Sequence, residues 1–350
     1  MKAESNLPRN FADILALMEA LPSADENALE ATRARDACLT KPAGSLGRLE
    51  VLAQWLSAWQ AMSPPVLEAP VALVFAGNHG VTRKGVSAFP IEVTEQMVSN
   101  FASGGAAINQ IASHHGMALQ VVPLDLETPT QDLSTTAAMS ESECVDAFVA
   151  GMSALPDRVD LLCVGEMGIG NTTAASALCA GLFGADGDDA DVSRWVGPGT
   201  GVEGDALARK REVVAEAVAL HGASARASAL EGLRRLGGRE FAAITGAVLQ
   251  ARLRHIPVVL DGFAATASAA VLSCLHEDGL AHCIAGHLSA EPAHRLLLER
   301  LGLKPLLDLG MRLGEASGAA VAVGLIRCAV ALHTGMATFE EAAVSGKLAD

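Results

Sequence analysis

VDLLCVGEMGIGNTTAASAL, residues 159–178, holds a strand, a glycine-rich turn and a helix in succession. Val159 to Val164 is a short apolar run with the length and bounds of a buried strand. It runs into Gly165-Glu166-Met167-Gly168-Ile169-Gly170, where three glycines let the backbone turn tightly and lie close to a ligand. Asn171, Thr172 and Thr173 are helix-capping residue types, and Ala174 to Leu178 favours helix. Such a turn at a helix mouth aims backbone N–H groups at one spot, which suits a phosphate. Glu166 would repel a phosphate directly but can hold a sugar hydroxyl. A tight turn of this kind also serves plain strand-to-helix connections in α/β proteins, so on spacing alone both readings stand.

The same alternation extends along the chain. Apolar runs at Val71 to Ala76, Ala118 to Leu124, Ile256 to Leu260 and, more weakly, Ala281 to Ala285 read as further strands. Helical patterns lie between them, around Ile91 to Ser103, Gly204 to Leu220, Glu240 to Arg254, Ala264 to Leu275 and Glu291 to Arg300, and a long one from about Leu313 to His333 follows. Continuous apolar strands alternating with helices predict an α/β fold, a mostly parallel Rossmann-like sheet with helices on both faces. Residues 1–65 and 313–350 read as helical ends that pack into a small helical domain, leaving 66–312 as the α/β domain with the nucleotide site. Gly184 to Ser193 (GADGDDADVS) reads as a solvated surface loop.

Composition narrows the function. The chain has 350 residues, 50% hydrophobic, which is ample for a buried core. Its formal charge of −15 argues against nucleic acid or an anionic membrane as partner. So acidic a protein must build any phosphate site from backbone amides, helix N-termini and a few cations. Arg327 and His333 interrupt the last apolar stretch, and Asp13 lies in the only N-terminal apolar patch, so neither a membrane span nor a signal peptide is expected. Seven scattered cysteines without a CxxC pair point to free thiols in a reducing, cytoplasmic setting.

In open parallel sheets, ligands sit beyond the carboxyl ends of the strands. Here those ends carry Gly77-Asn78-His79-Gly80, Asp261-Gly262-Phe263 and Gly286-His287-Leu288-Ser289. Glu315 is the sharpest single residue, set among small and apolar neighbours in Met311 to Ala320. One reading is a helix-start carboxylate stabilised by the dipole or paired to Arg312. The other is a desolvated glutamate whose raised pKa suits general-base work. Asp188, Asp189 and Asp191 lack a nearby phosphate cradle, and the histidines show no ligand spacing, so no metal site is expected. Gly168-Ile169-Gly170 lacks the further glycine of a dinucleotide fingerprint, because Thr173 occupies that place.

Six stretches stand in order: KPAGSLGRLE (41–50), NHGV (78–81), GEMGIGNTTAASAL (165–178), VVLDGF (258–263), HLSAE (287–291) and RLGEASGAA (312–320). Over about residues 35–335 the chain resembles the nicotinate-nucleotide–dimethylbenzimidazole phosphoribosyltransferase family, which acts in cobalamin lower-ligand assembly. The resemblance implies a homodimer that converts nicotinate mononucleotide and 5,6-dimethylbenzimidazole to α-ribazole 5′-phosphate and nicotinate, without a cofactor. It makes Glu315 the catalytic base. It places Glu166, Gly168, Gly170 and Asn171 at the ribose-phosphate site, with Lys210 (from ARKREVV) and Ser289 near the phosphate end. The base pocket falls to Phe89, Met167 and Leu313, since the chain has no tyrosine and only 3% aromatic residues. Two departures stand out: Asn78 where the family often has aspartate, and Phe89 where some members carry a smaller polar residue. Two other classes remain open at this point. A nucleotide-dependent oxidoreductase would need the absent GxGxxG, and a non-catalytic base- or nucleotide-binding protein would more naturally lack Glu315.

Overall fold

The computed structural model of the protein describes residues 7–184 and 189–345, those at 189–191 by backbone alone. Five parallel strands form one sheet: β1 (Pro70–Ala76), β2 (Ala118–Pro123), β3 (Leu161–Met167), β4 (Val258–Leu260) and β5 (Cys283–Ala285). Their spatial order is β2-β1-β3-β4-β5. Helices α1 (Phe11–Glu19), α2 (Glu26–Cys38) and α3 (Arg48–Gln60) precede the sheet. Helices α4 (Val93–Ala102) and α5 (Ala107–His114) join β1 to β2, and α6 (Glu141–Ser153) joins β2 to β3. From β3 to β4 run α7 (Asn171–Phe183), α8 (Asp189–Arg194), α9 (Gly204–Ala227), α10 (Ala229–Leu236) and α11 (Arg239–Leu253). Helix α12 (Phe263–Leu275) leads to β5, then α13 (Pro292–Leu301) and α14 (Ser317–Gly335) follow.

Period-two alternation of the strands divides the core into two layers. Leu73, Phe75, Leu162, Val164, Val258 and Leu260 face a layer that includes α6, α7, α11 and α12. Ala72, Val74, Leu161, Cys163 and Val259 face the opposite layer, built from α3, α5 and α14. Each fully buried Val, Leu or Phe is worth about 1.5–3 kcal/mol, so β1, buried along its whole length, anchors both layers at once. Strand β2 lies at one edge of the sheet and is half-exposed, unlike β5 at the other edge, which is mostly buried. The helical unit expected from the two chain ends is divided: α3 and α14 pack together on the second face, while Ile14 and Met18 of α1 enter the first.

Among the described residues, α14 alone is long and apolar enough to cross a membrane. Here it is a core helix: Ala319, Ala320, Val323 and Ile326 are buried against the sheet, and Arg327 bonds the Leu67 carbonyl at 3.2 Å. It begins four residues later than the sequence pattern implied, at Ser317, because Gly314, Glu315 and Ala316 are left-handed with φ of 87°, 63° and 61°. The acidic stretch expected as a loop at 184–193 lies partly outside the described residues. Its later part opens α8, and nothing bears on the side chains of Asp188, Asp189 and Asp191.

Candidate active site

The sheet order reverses between β1 and β3, and an open cleft lies beyond the carboxyl end of β3 at that point. The cleft is partly open to solvent. The segments after β3, β4 and β5 line it, together with the loops at 199–202 and 312–314.

The three glycines of the turn have different jobs from those expected. Strand β3 continues to Met167, so Gly165 and Glu166 belong to the strand and not to the turn. A Cβ on Gly165 would overlap the Ala316 backbone, so this glycine lets the segment bearing Glu315 close onto β3. One on Gly168 would stand 2.7 Å from the Gly77 carbonyl oxygen, where the ends of β1 and β3 meet. Only Gly170 takes a left-handed conformation, φ 92°, as the N-cap of α7. Asn171 does not cap the helix; its side-chain amide donates to Glu166 Oε2. Behind the turn, Glu240 pairs with His79, both fully buried.

Glu315 is 3% exposed and is not itself among the residues lining the cleft, although Leu313 and Gly314, next to it in the chain, are. Its amide donates to the Glu166 carbonyl at 3.1 Å, tying it to the end of β3. Its Oε2 has no hydrogen-bonding partner. The alternative reading, a pairing with Arg312, is not what the structure shows: Arg312 Nη1 donates to the Gly199 carbonyl at 3.0 Å. Burial first, and then the negative charge of Asp261, push the Glu315 carboxyl up to about 7. Asp261 is itself fixed: its Oδ1 accepts from the Ala319 amide at 2.9 Å and lies 3.4 Å from His287 Nε2. Glu166 is also held well above the usual carboxylate range, by burial and then by Asp261, Glu240 and Glu315, with Asn171 opposing.

Of the nearby cations, Arg312 lines the cleft and Lys210 does not. Lys210, fully buried on α9, donates to Thr172 Oγ1 and to the Gly197 carbonyl, both at 2.9 Å. Burial lowers its pKa to about 8, against the opposing effect of Glu291. The Ser289 amide donates to His294 Nδ1 at 2.9 Å, and its hydroxyl accepts from the Glu291 amide at 3.3 Å, leaving its own proton for a ligand.

Met167 and Leu313, two of the residues named for a base pocket, line the cleft, Leu313 being 48% exposed. Phe89 is outside the lining, while Val86 and Ser87 of the same segment take part. Asn78 fixes a loop by donating Nδ2 to the Leu126 carbonyl at 2.9 Å, a bond that an aspartate could not donate. Reading the sequence alone overlooked Thr172, Gly199, Thr200 and Glu291 at the cleft. The run Gly197-Pro198-Gly199-Thr200-Gly201 was the available signal for the second of the glycine turns.

A family model described as phosphoribosyltransferase matches residues 21–344. A protein of Methylorubrum extorquens named nicotinate-nucleotide–dimethylbenzimidazole phosphoribosyltransferase is 56% identical over 334 residues, 95% of this chain and 96% of its own length. One of the same name from Rhizobium etli is 53% identical over 343 residues, 98% of this chain and 99% of its own. The crystal structure of the so-named enzyme of Thermus thermophilus superposes with a TM-score of 0.84 at 40% identity, covering 92% of this chain and all of that one.

Proposed function

The chain belongs to the phosphoribosyltransferase family, and on that premise we propose that it converts nicotinate mononucleotide and 5,6-dimethylbenzimidazole to α-ribazole 5′-phosphate and nicotinate. The observation that carries the reading is Glu315, a buried carboxylate with an unpartnered oxygen, held to the strand end that supplies Glu166 and the glycine turn.

The chemistry follows from these groups. In the mononucleotide the C1′–N bond joins ribose to a pyridinium, so nicotinate departs with the bonding pair and needs no proton. One benzimidazole nitrogen attacks C1′ from the opposite face, which inverts β to α. Glu315 takes the proton from the other ring nitrogen, and its raised pKa matches general-base work near neutral pH. Charge at C1′ becomes oxocarbenium-like during the exchange, and a nearby carboxylate stabilises it. Glu166, whose surroundings disfavour its charged form, lines the ribose site with Asn171 orienting it. Gly168 and Gly170 shape the turn for the ribose phosphate, and Lys210 and Ser289 supply the cation and the hydroxyl at its phosphate end. Met167 and Leu313 give the base an apolar wall.

The same reading puts the reaction in cobalamin lower-ligand assembly, in the cytoplasm, with the chain as a homodimer; the seven free thiols accord with a reducing compartment. Purified protein mixed with the two substrates should release nicotinate and form the α-nucleotide. Absence of nicotinate above a no-enzyme control refutes the assignment.

A further inference from the structure

Glu291 stands in the wall of the cleft, immediately before α13, and is 5% exposed. Neither of its carboxylate oxygens has a hydrogen-bonding partner. The side chain is nonetheless closely placed: a Cβ on Gly197 would overlap its Oε2, so the carboxylate rests on the loop whose carbonyl holds Lys210. Burial raises the pKa of the Glu291 carboxyl, and Lys210, the Gly199 amide and Arg312 oppose it. A buried carboxylate with both oxygens unused costs free energy unless a ligand supplies donors.

The donor inventory of the mononucleotide limits what that ligand group can be. The phosphate, mostly dianionic at neutral pH, and the nicotinate carboxylate are acceptors. The pyridinium nitrogen is bonded to C1′ and carries no hydrogen. The remaining donors are the 2′- and 3′-hydroxyls, a vicinal pair with the spacing to meet two oxygens of one carboxylate. The N–H of the second substrate goes to Glu315 in the reaction above. Of Glu166, Oε2 already accepts from Asn171. Lys210, fully buried and outside the cleft lining, has used two of its three N–H groups on Thr172 and Gly197.

We propose that Glu291 is the specificity-determining residue for ribose, accepting from the 2′- and 3′-hydroxyls of the mononucleotide and rejecting deoxyribose counterparts. The inference rests on the proposed mononucleotide substrate.

The test is a cycle between residue and hydroxyl. Wild-type protein and Glu291→Ala are titrated calorimetrically with nicotinate mononucleotide and with its 2′-deoxy and 3′-deoxy analogues, and kcat/KM is measured for each. In wild type, deleting a hydroxyl should weaken binding roughly 10- to 100-fold, the range for a hydrogen bond to a charged acceptor. In Glu291→Ala the same deletion should change affinity by less than about threefold, since the hydroxyl has lost its partner. A residue that only supports the loop would weaken all three nucleotides alike and leave the hydroxyl penalty intact. That outcome, or a wild type indifferent to both hydroxyls, overturns the proposal. Should Glu291→Ala fail to fold, Glu291→Leu carries the same comparison with a similar side-chain volume and no acceptor. Wild type that neither binds nor turns over the unmodified mononucleotide removes the substrate reading itself, a different result from an intact hydroxyl penalty.

Discussion

The amide of Glu315 donates to the carbonyl of Glu166 at 3.1 Å, so two buried carboxylates from opposite halves of the chain share one anchoring point at the end of β3. Holding that bond places Glu315 and Ala316 in left-handed backbone, φ 63° and 61°, which costs on the order of 1–3 kcal/mol for each non-glycine residue. The strain is sustained because Gly165 leaves room for the Ala316 backbone and Ser317 closes the turn onto the Gly314 carbonyl.

Glu315→Gln should keep the shape of the segment and remove the proton acceptor. The expected loss in kcat is roughly 10²–10⁴-fold, with mononucleotide affinity little changed. A variant retaining more than about half of the wild-type kcat would falsify the assigned role.

With the Glu315 carboxyl near 7, the base form grows as pH rises, so kcat should climb through pH 6–8 and then level off. Stability moves the other way. The folded-state value lies above the ordinary glutamate value of about 4.3, so the contribution to stability is complete below that pH. It is lost as pH rises through about 7. Thermal unfolding should therefore show Glu315→Gln gaining on wild type between pH 5 and 8. Parallel Tm curves for the two proteins would contradict the raised pKa.

Gly165→Ala tests the close approach of two backbones. Its methyl would overlap the Ala316 amide, so the loop must retreat from β3. Destabilisation of about 1–3 kcal/mol in urea unfolding is expected. Displacing the base by about 1 Å should also lower kcat about 10²-fold. Gly168→Val should instead act on mononucleotide affinity, by pushing the turn from the Gly77 carbonyl. Unchanged calorimetric affinity in a folded Gly168→Val protein would count against the cradle.

The wall formed by Met167 and Leu313 is apolar, so acceptance of the base should follow buried ring and methyl area. Each CH₂-sized group is worth roughly 0.8 kcal/mol, about fourfold. Dimethylbenzimidazole should exceed benzimidazole by about tenfold in kcat/KM, and adenine should come last, since each unpaired buried polar group costs about 1–3 kcal/mol. A competition assay that ranks adenine first refutes the apolar wall. Because Phe89 lies outside the cleft lining, Phe89→Ala should leave this ranking unchanged.

Much of this protein was legible along the chain. Uniformly apolar strand runs, the helical segments between them and the glycine-rich turn are local patterns of period 2 or 3.6, and they predicted the α/β class and the existence of a site at the strand ends. The ordered motifs already singled out Glu166, Ser289 and Glu315, and the resemblance they carry added Lys210. Tertiary packing decided what those residues touch. Gly165 is a glycine because Ala316, remote in sequence, packs on it, and Arg312 bonds Gly199 and not the glutamate three residues on. Lys210 is buried because Thr172 and Gly197 come to meet it, and Glu291 lies in the cleft wall with both oxygens unused. Periodicity assigns a side chain to a face of its own element. Which atom it meets there depends on every element packed against that face, and so do the burial and neighbouring charge that raise Glu315 to about 7.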